Sequence, residues 1–342
     1  MGGFATLEAS GDAGARGRAH GEAFRARVER ACAFYLDDLF AGVPLDGAAL
    51  RARAESIAAI VAAQAPPLAA EIEGIAAGAG VPPWQVYLLN ARTEVLNARV
   101  DECSALYFAG TCVQGQTWDW VEELEALCVV ITHTRPDGHR YVAFGEPGMV
   151  GKIGLSAAGV GVCLNILFAP HDLSGLPVHV LIGALLNAGS WDAARVALDG
   201  AGRGKASHLL VGSAGGQAVS IEFFGDERHL LEPADGVLLH TNHCLGRGAA
   251  GRTAALANSC ARYDDLARQV AASPARDLAR ARDILSSTAG GTDALLRAYR
   301  ESEVFPGHRV GSCATVLMEL DERRLHLRRG PHADAPFQVF AL

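Results

Sequence analysis

Asp101-Glu102-Cys103-Ser104-Ala105-Leu106-Tyr107-Phe108 is the stretch at which the texture of the chain changes. Upstream, from about Ala13 to Glu94, apolar residues recur at steps of three and four. An Ala- and Arg-rich run continues through Phe40, a second spans Gly47 to Ala63, and shorter ones flank Val81-Pro82-Pro83. That period belongs to helices with one buried stripe, and Pro66-Pro67 and Gly78-Ala79-Gly80 supply the breaks between them. Downstream, Cys103 to Phe108, Val113 to Trp118, Cys128 to His133 and Arg140 to Phe144 are short apolar or alternating runs separated by Gly, Pro and Asp, the pattern of strands joined by tight turns.

Strand-like runs continue at Gly151 to Leu155, Gly159 to Ile166, within Leu209 to His240, and at Cys313 to Leu320, Leu325 to Arg328 and Gln338 to Phe340. Helical texture returns at Val178 to Ala188, Trp191 to Leu198 and Arg252 to Arg300. Alternating blocks of helices and strands fit two antiparallel sheets stacked face to face with helices outside. The expected fold is therefore α+β, a four-layer αββα sandwich over 103–342 preceded by a helical segment over 1–102. Their junction falls directly before a cysteine.

Composition narrows the function. With 342 residues, half of them apolar, the chain has ample core for one large domain, or one domain with a helical appendage. A net charge of −8 argues against a nucleic-acid partner, because phosphate binding needs clustered cations, and a small neutral or basic substrate suits it better. Met1 to Gly21 lacks the basic start and sustained apolar run of a secretory signal, and no later window stays apolar long enough to cross a bilayer. A cytoplasmic protein with no membrane partner is expected. Met1-Gly2-Gly3-Phe4-Ala5-Thr6 matches the loose myristoylation pattern and is read as accidental. Eight cysteines without a Cys-x-x-Cys pair suggest neither a disulfide framework nor a zinc ribbon.

Five strings carry a resemblance: Leu89-Asn90-Ala91-Arg92-Thr93-Glu94, Asp101-Glu102-Cys103-Ser104, Gln114-Gly115-Gln116-Thr117-Trp118-Asp119, Gly148-Met149-Val150-Gly151-Lys152-Ile153-Gly154 and His240-Thr241-Asn242-His243-Cys244-Leu245. In identity, order and spacing they resemble the acyl-coenzyme A:6-aminopenicillanic acid acyltransferases, also called isopenicillin N acyltransferases, and the self-cleaving linear-amide hydrolases around them. The likeness runs from His20-Gly21 to the segment between Gly330 and Phe340. It implies an N-terminal-nucleophile fold whose precursor cuts itself between Glu102 and Cys103, the two chains staying associated. It further implies that Asp119 orients the terminal amine and thiol, and that Asn242 donates to the oxyanion.

The chemistry is coherent without the family. A terminal cysteine carries a thiol, ordinary pKa about 8.5, and an α-amine, ordinary pKa about 7.7 to 8, so nucleophile and general base come from one residue. Before cleavage no amine exists, and the same thiol can attack the carbonyl of Glu102. The residues alone leave other readings open: Cys103 as a buried strand thiol, and Asp119, flanked by Trp118 and Trp120, as a turn cap. His240, His243 and Cys244 could suggest a metal, but positions three apart on a strand face opposite ways, so no metal is expected and His243 is read as a structural hydrogen-bonder.

Two departures from the penicillin enzyme stand out. Ser312, in Gly311-Ser312-Cys313-Ala314-Thr315, occupies the place of an arginine, so either Arg309 reaches in or the role is filled differently. Glu102 replaces the glycine before the cysteine. Arg92 and Glu94, charged within an apolar run, are expected to pair with each other or with sheet residues at the junction. Gly145 to Gly154 lacks the spacing of a nucleotide loop, and no cofactor is expected.

The expected activity is that of a cysteine amidohydrolase or acyltransferase on linear amide bonds, with a small amide or acyl thioester as substrate. Isopenicillin N-type acyl transfer is one alternative. An uncleaved member that binds a small ligand without turnover is the other.

Overall fold

The computed structural model describes residues 2–97, 103–169, 175–202, 205–253 and 256–342. Glu102, one side of the expected cleavage point, lies outside the described residues.

Two sheets form the centre. In the first, the strands run in the order Ala5–Ser10, Val129–Thr134, Arg140–Gly145, Ile153–Ser156, Val160–Ile166, Lys205–Ser213, Ala218–Gly225 and Glu227–Leu231. In the second the path is Val237–His240, Cys103–Phe108, Val113–Val121, Arg309–Glu319, Arg324–Arg329 and Gln338–Ala341, with the short strand Arg300–Glu301 beside Arg309–Glu319. Every pairing is antiparallel except that of Ala5–Ser10 with Val129–Thr134.

Strand pleating sends alternate residues of Cys103–Phe108 and Val113–Val121 to opposite sides. One side meets the first sheet: Gln114 Nε2 donates to the Leu210 carbonyl (2.8 Å), and the Gln116 amide accepts from Leu164 N–H (2.8 Å) and donates to the Leu164 carbonyl (3.2 Å). The other side packs Leu106, Phe108 and Leu317 against Leu266, Val270, Ile284 and Leu285. Those four come from the helices Ala257–Ala271 and Leu278–Leu285. On the far side of the first sheet lies the helix Val178–Leu186, close enough that a Cβ on Gly154 would sit 2.9 Å from Leu186 Cδ1. Helix, sheet, sheet, helix is the αββα order expected from the sequence.

The N-terminal segment is largely helical, with Ala13–Ala23, Arg25–Phe34, Gly47–Gln64, Pro66–Ala79 and Pro83–Asn90. Ala13–Ala23 and Pro66–Ala79 touch backbone to backbone: a Cβ on Gly17 would lie 2.1 Å from the Glu71 carbonyl oxygen, and one on Gly78 would lie 2.3 Å from that of Arg18. Only glycine permits that approach.

Two expectations need correction. The segment before Cys103 is not wholly helical, because Ala5–Ser10 forms an edge strand of the first sheet. Nor is Arg252 to Arg300 one long helical region. Gly248–Thr253, Ala257–Ala271 and Leu278–Leu285 are helices, after which the chain runs irregularly, through a single 3-10 turn at Gly291–Asp293, to Arg300. Pro274 and the left-handed pair Gly290 (φ +101°) and Gly291 (φ +61°) interrupt it. No helix among the described residues is long and apolar enough to cross a membrane.

Candidate active site

Cys103 opens a central strand of the second sheet and is 2 % exposed. Its backbone is held at both ends of the residue. The Cys103 N–H donates to Asn242 Oδ1 (3.0 Å), and the Cys103 carbonyl accepts from Arg262 Nη1 (2.7 Å). The same guanidinium donates to Ser104 Oγ (3.0 Å) and, through Nη2, to Asn242 Oδ1 (2.9 Å). Arg262 comes from the helix Ala257–Ala271 on the outer layer, where its Nε donates to Asn258 Oδ1 (2.7 Å).

Asn242 follows the edge strand Val237–His240 and is fixed in its turn. Its N–H donates to Ser259 Oγ (2.7 Å), and its Nδ2 donates to the Ile166 carbonyl (2.9 Å), which ties it to the first sheet. The amide can stand only one way round, because two donors, Arg262 Nη2 and Cys103 N–H, converge on Oδ1. The carbonyl end of Asn242 therefore faces the nitrogen of Cys103. Nδ2 carries two protons, one of which goes to the Ile166 carbonyl.

Asp119 is buried, one residue beyond Trp118, the cross-strand partner of Cys103. Neighbours along a strand face opposite ways, so Trp118 and the Cys103 side chain share the inter-sheet face while Asp119 points to the helix layer. There its Oδ2 accepts from Arg297 Nε (2.8 Å) and its Oδ1 from Ser312 Oγ (2.5 Å). Burial pushes the Asp119 carboxyl upward, and the guanidiniums of Arg297 and Arg262 and the Ser312 hydroxyl oppose that shift without cancelling it.

Ser312 thus reaches Asp119 from the neighbouring strand. Arg309 does not reach the site: half-exposed, it pairs with Glu122 (3.0 Å) and donates to the Tyr299 carbonyl. A bulge between Ser312 and Ala314 shifts the register of their strand on Val113–Val121. The arginine at Asp119 is Arg297, delivered by the irregular run after Leu278–Leu285, and its own N–H donates to Ser312 Oγ (2.9 Å). A cavity of about 370 Å³ borders Arg297 and Trp120 on its other side.

Arg92 pairs with Glu146 (3.1 Å) at the end of a first-sheet strand and lies 4.1 Å from the Trp120 ring centre, while Glu94 Oε1 accepts from the Val178 N–H (2.7 Å). Both are therefore tied to the sandwich. His243 stands beyond the end of its strand and bonds Ser259 Oγ (2.9 Å), a structural role, and His240 pairs with Glu222 (2.8 Å). Among the described residues no three His, Cys, Asp or Glu side chains are grouped to hold a metal ion.

Arg262 and Arg297 carry no role in the sequence reading. A signal existed for each. Arg262 falls on the buried stripe Ser259, Arg262, Leu266, Val270, where a charge must have a partner, and Arg297 ends the apolar run Ala294-Leu295-Leu296.

Two stacked antiparallel sheets between helical layers, with a cysteine beginning a central strand, make up the N-terminal-nucleophile hydrolase fold. Among solved structures, penicillin V acylase from Agrobacterium tumefaciens is similar over 66% of this chain and 82% of its own, with a TM-score of 0.50 at 12% identity. A mutant conjugated bile acid hydrolase from Clostridium perfringens matches 71% of this chain and 92% of its own at 13% identity, with a TM-score of 0.47. The profile of the acyl-coenzyme A:6-aminopenicillanic acid acyl-transferase family matches residues 108–331, and the chain belongs to that family. The matched range begins after Cys103. The 40 kDa form of acyl-coenzyme A:6-aminopenicillanic-acid-acyltransferase from Emericella nidulans is 31% identical over 185 residues, 51% of this chain and 51% of that protein. The chain thus spans about half the length of this curated relative.

Removal of Arg297 tests the charge balance around Asp119. Arg297→Met should destabilise the fold by about 3–5 kcal/mol, the usual cost of stranding one member of a buried pair. A carboxyl whose folded-state pKa lies above its unfolded value, about 3.9, adds its full stability only below that value and loses it as pH climbs through the folded pKa. Without Arg297 the folded pKa rises further. The deficit should therefore be larger at pH 8 than at pH 5, and Asp119→Asn in the same chain should recover most of it. Urea unfolding of the wild type and these two variants at both pH values measures this; a deficit indifferent to pH and to Asp119 would separate the two residues.

Proposed function

We propose that the protein is a self-activating cysteine amidohydrolase or acyltransferase in which Cys103 becomes the terminal nucleophile. The observation that carries this is the clamp on Cys103. In the uncut chain the nitrogen that cleavage would turn into an α-amine already donates to Asn242 Oδ1, and the adjoining carbonyl is fixed by Arg262. A general base of this kind works only when its lone pair is aimed, and these two contacts would aim it.

The steps balance as follows. In the precursor, the Cys103 thiol gives up its proton and Sγ bonds to the carbonyl carbon of Glu102. The bond from that carbon to the Cys103 nitrogen breaks, and the nitrogen takes up a proton. Water then hydrolyses the thioester, releasing the Glu102 carboxylate and a free thiol beside a free amine. In turnover the amine takes the thiol proton and Sγ attacks the substrate carbonyl. The ammonium protonates the leaving amine, and the acyl group passes from the thioester to water or to an acceptor amine.

Asn242 holds the amine through Oδ1 and meets the tetrahedral oxygen from the Nδ2 end of its amide. Asp119 acts one step back, setting the charge around Arg297 and Arg262 on the face behind the nucleophile. Hydrolysis of a linear amide is the reading preferred. Transfer from an acyl thioester to an amine is the second, favoured by the name of the family and of the relative from Emericella nidulans. The two cleaved chains would remain one unit, since Tyr35, Asn90 and Arg92 bond to residues beyond Cys103.

Incubation with a panel of acyl thioesters and linear amides, followed by intact-mass analysis, should reveal an acyl adduct on the fragment beginning at Cys103. Adducts on another cysteine, or none from any donor that is consumed, would contradict the reading. With a substrate so found, Asn242→Ala should lower kcat about a hundredfold or more and change KM little, as for contacts that matter most in the transition state. A loss confined to KM would move Asn242 to substrate binding.

A further inference from the structure

Pleating turns the side chain of Cys103 toward the first sheet, on the same face as Trp118 directly across the ladder. Cys103, Gln116 and Trp118 from the second sheet and Lys152, Ile153 and Leu164 from the first line one gap there, too narrow for a water molecule. Of these six only Lys152 carries a fixed charge. It is 2 % exposed, and its Nζ lies 4.3 Å from the centre of the Trp118 ring.

A buried ammonium is costly unless an anion answers it. Glu146 Oε2 stands 3.5 Å from Nζ, and the same carboxylate also takes Arg92 Nε (3.1 Å) and the Tyr35 hydroxyl (2.5 Å). From the helix Val178–Leu186, His179 faces the cluster with Nδ1 against the Gly151 carbonyl, its pKa held well below the ordinary value by burial and by the charges of Lys152 and Arg92. It adds no charge of its own near neutral pH. Arg92 is the other nearby cation, but it lies over Trp120, which is displaced along the strand from the residue opposite Cys103.

The loop that presents Lys152 is rigid. Asn90 donates to the Gly148 carbonyl (2.8 Å) and accepts from Val150 N–H (2.9 Å), and His20 Nε2 accepts from Gly148 N–H (3.0 Å). A Cβ on Gly151 would meet Gly183 N at 2.4 Å, so the loop is seated directly on the helix Val178–Leu186.

We propose that Lys152 is the positioning charge of the Cys103 thiolate: an ammonium, fixed in the first sheet, that favours the ionised form of a nucleophile carried by the second. This rests on the reading of Cys103 as nucleophile. In the ionisation it assists, the S–H bond breaks, the electron pair stays on Sγ beside Nζ, and the proton passes to the Cys103 amine in the cut chain. It would also explain why a lysine occupies the Gly148-to-Gly154 string in a chain that contains only two.

The rate at which iodoacetamide alkylates Cys103, read by peptide mass spectrometry against pH on the protein as purified, tests this. Lys152→Met, of similar volume, should slow alkylation near pH 7 by about tenfold or more and move its profile to higher pH, because an opposite charge lining the same gap favours the ionised thiol. Lys152→Arg should restore most of the rate. Should Lys152→Met fail to fold, Glu146→Gln decides with the opposite sign: relieving Lys152 of its carboxylate should speed alkylation, and an unchanged rate would overturn the proposal. Coincident profiles for wild type and Lys152→Met would overturn it while leaving Cys103 as nucleophile. If wild-type Cys103 reacts no faster than the buried Cys163, the nucleophile reading falls, and this proposal with it.

Discussion

The structure turns on the backbone of one residue. The nitrogen of Cys103 is held by an asparagine amide and its carbonyl by a guanidinium, and the asparagine oxygen and that guanidinium are bonded to each other. This closed set ties three parts of the fold together: the strand that begins at Cys103, the turn after the edge strand Val237–His240, and the outer helix Ala257–Ala271. A hydrogen bond to a charged donor in a dry interior is stronger than one in water, and an unmet partner is correspondingly costly. The residue is therefore over-determined in position.

Charge balance explains much of the surrounding layout. Arg262 and Arg297 bring two cations under the second sheet, and Asp119 is the buried anion that answers them, with Ser312 completing its hydrogen bonds. On the opposite face of the same sheet, Lys152 and Arg92 are answered by Glu146. Cys103 starts its strand between these two clusters, one behind the backbone and one beside the thiol. The N-terminal segment belongs to this arrangement and is not an appendage to it. Tyr35 and Arg92 take part in the inner cluster, and Asn90 and His20 grip the loop that carries Glu146 and Lys152.

What the sequence discloses follows from how local each signal is. The change from a helical to a strand period at Cys103 is a local pattern, and it located both the sandwich and the cysteine. Asn242 was singled out through a string that resembles a family, and Ser312 as a departure from that family. Arg297 was not, because its role depends on an irregular stretch returning to the sheet, and Arg309 stood closer along the chain to Ser312 while the strand carried it outward to Glu122. The edge strand Ala5–Ser10 was missed for a related reason. Its partner Val129–Thr134 is far along the chain and the pairing is parallel, so no hairpin turn announces it. The orientation of the Asn242 amide is likewise a product of long-range packing, set by two donors from separate elements.

The central claim is that this clamp exists to prepare a peptide bond for self-cleavage. Intact mass and N-terminal sequencing of freshly purified, folded protein test it most directly, beside a Cys103→Ala control. The account predicts two associated chains in the wild type, the second beginning at Cys103, and a single uncut chain in the control. A folded wild-type protein that never acquires an N-terminus at Cys103 would contradict it.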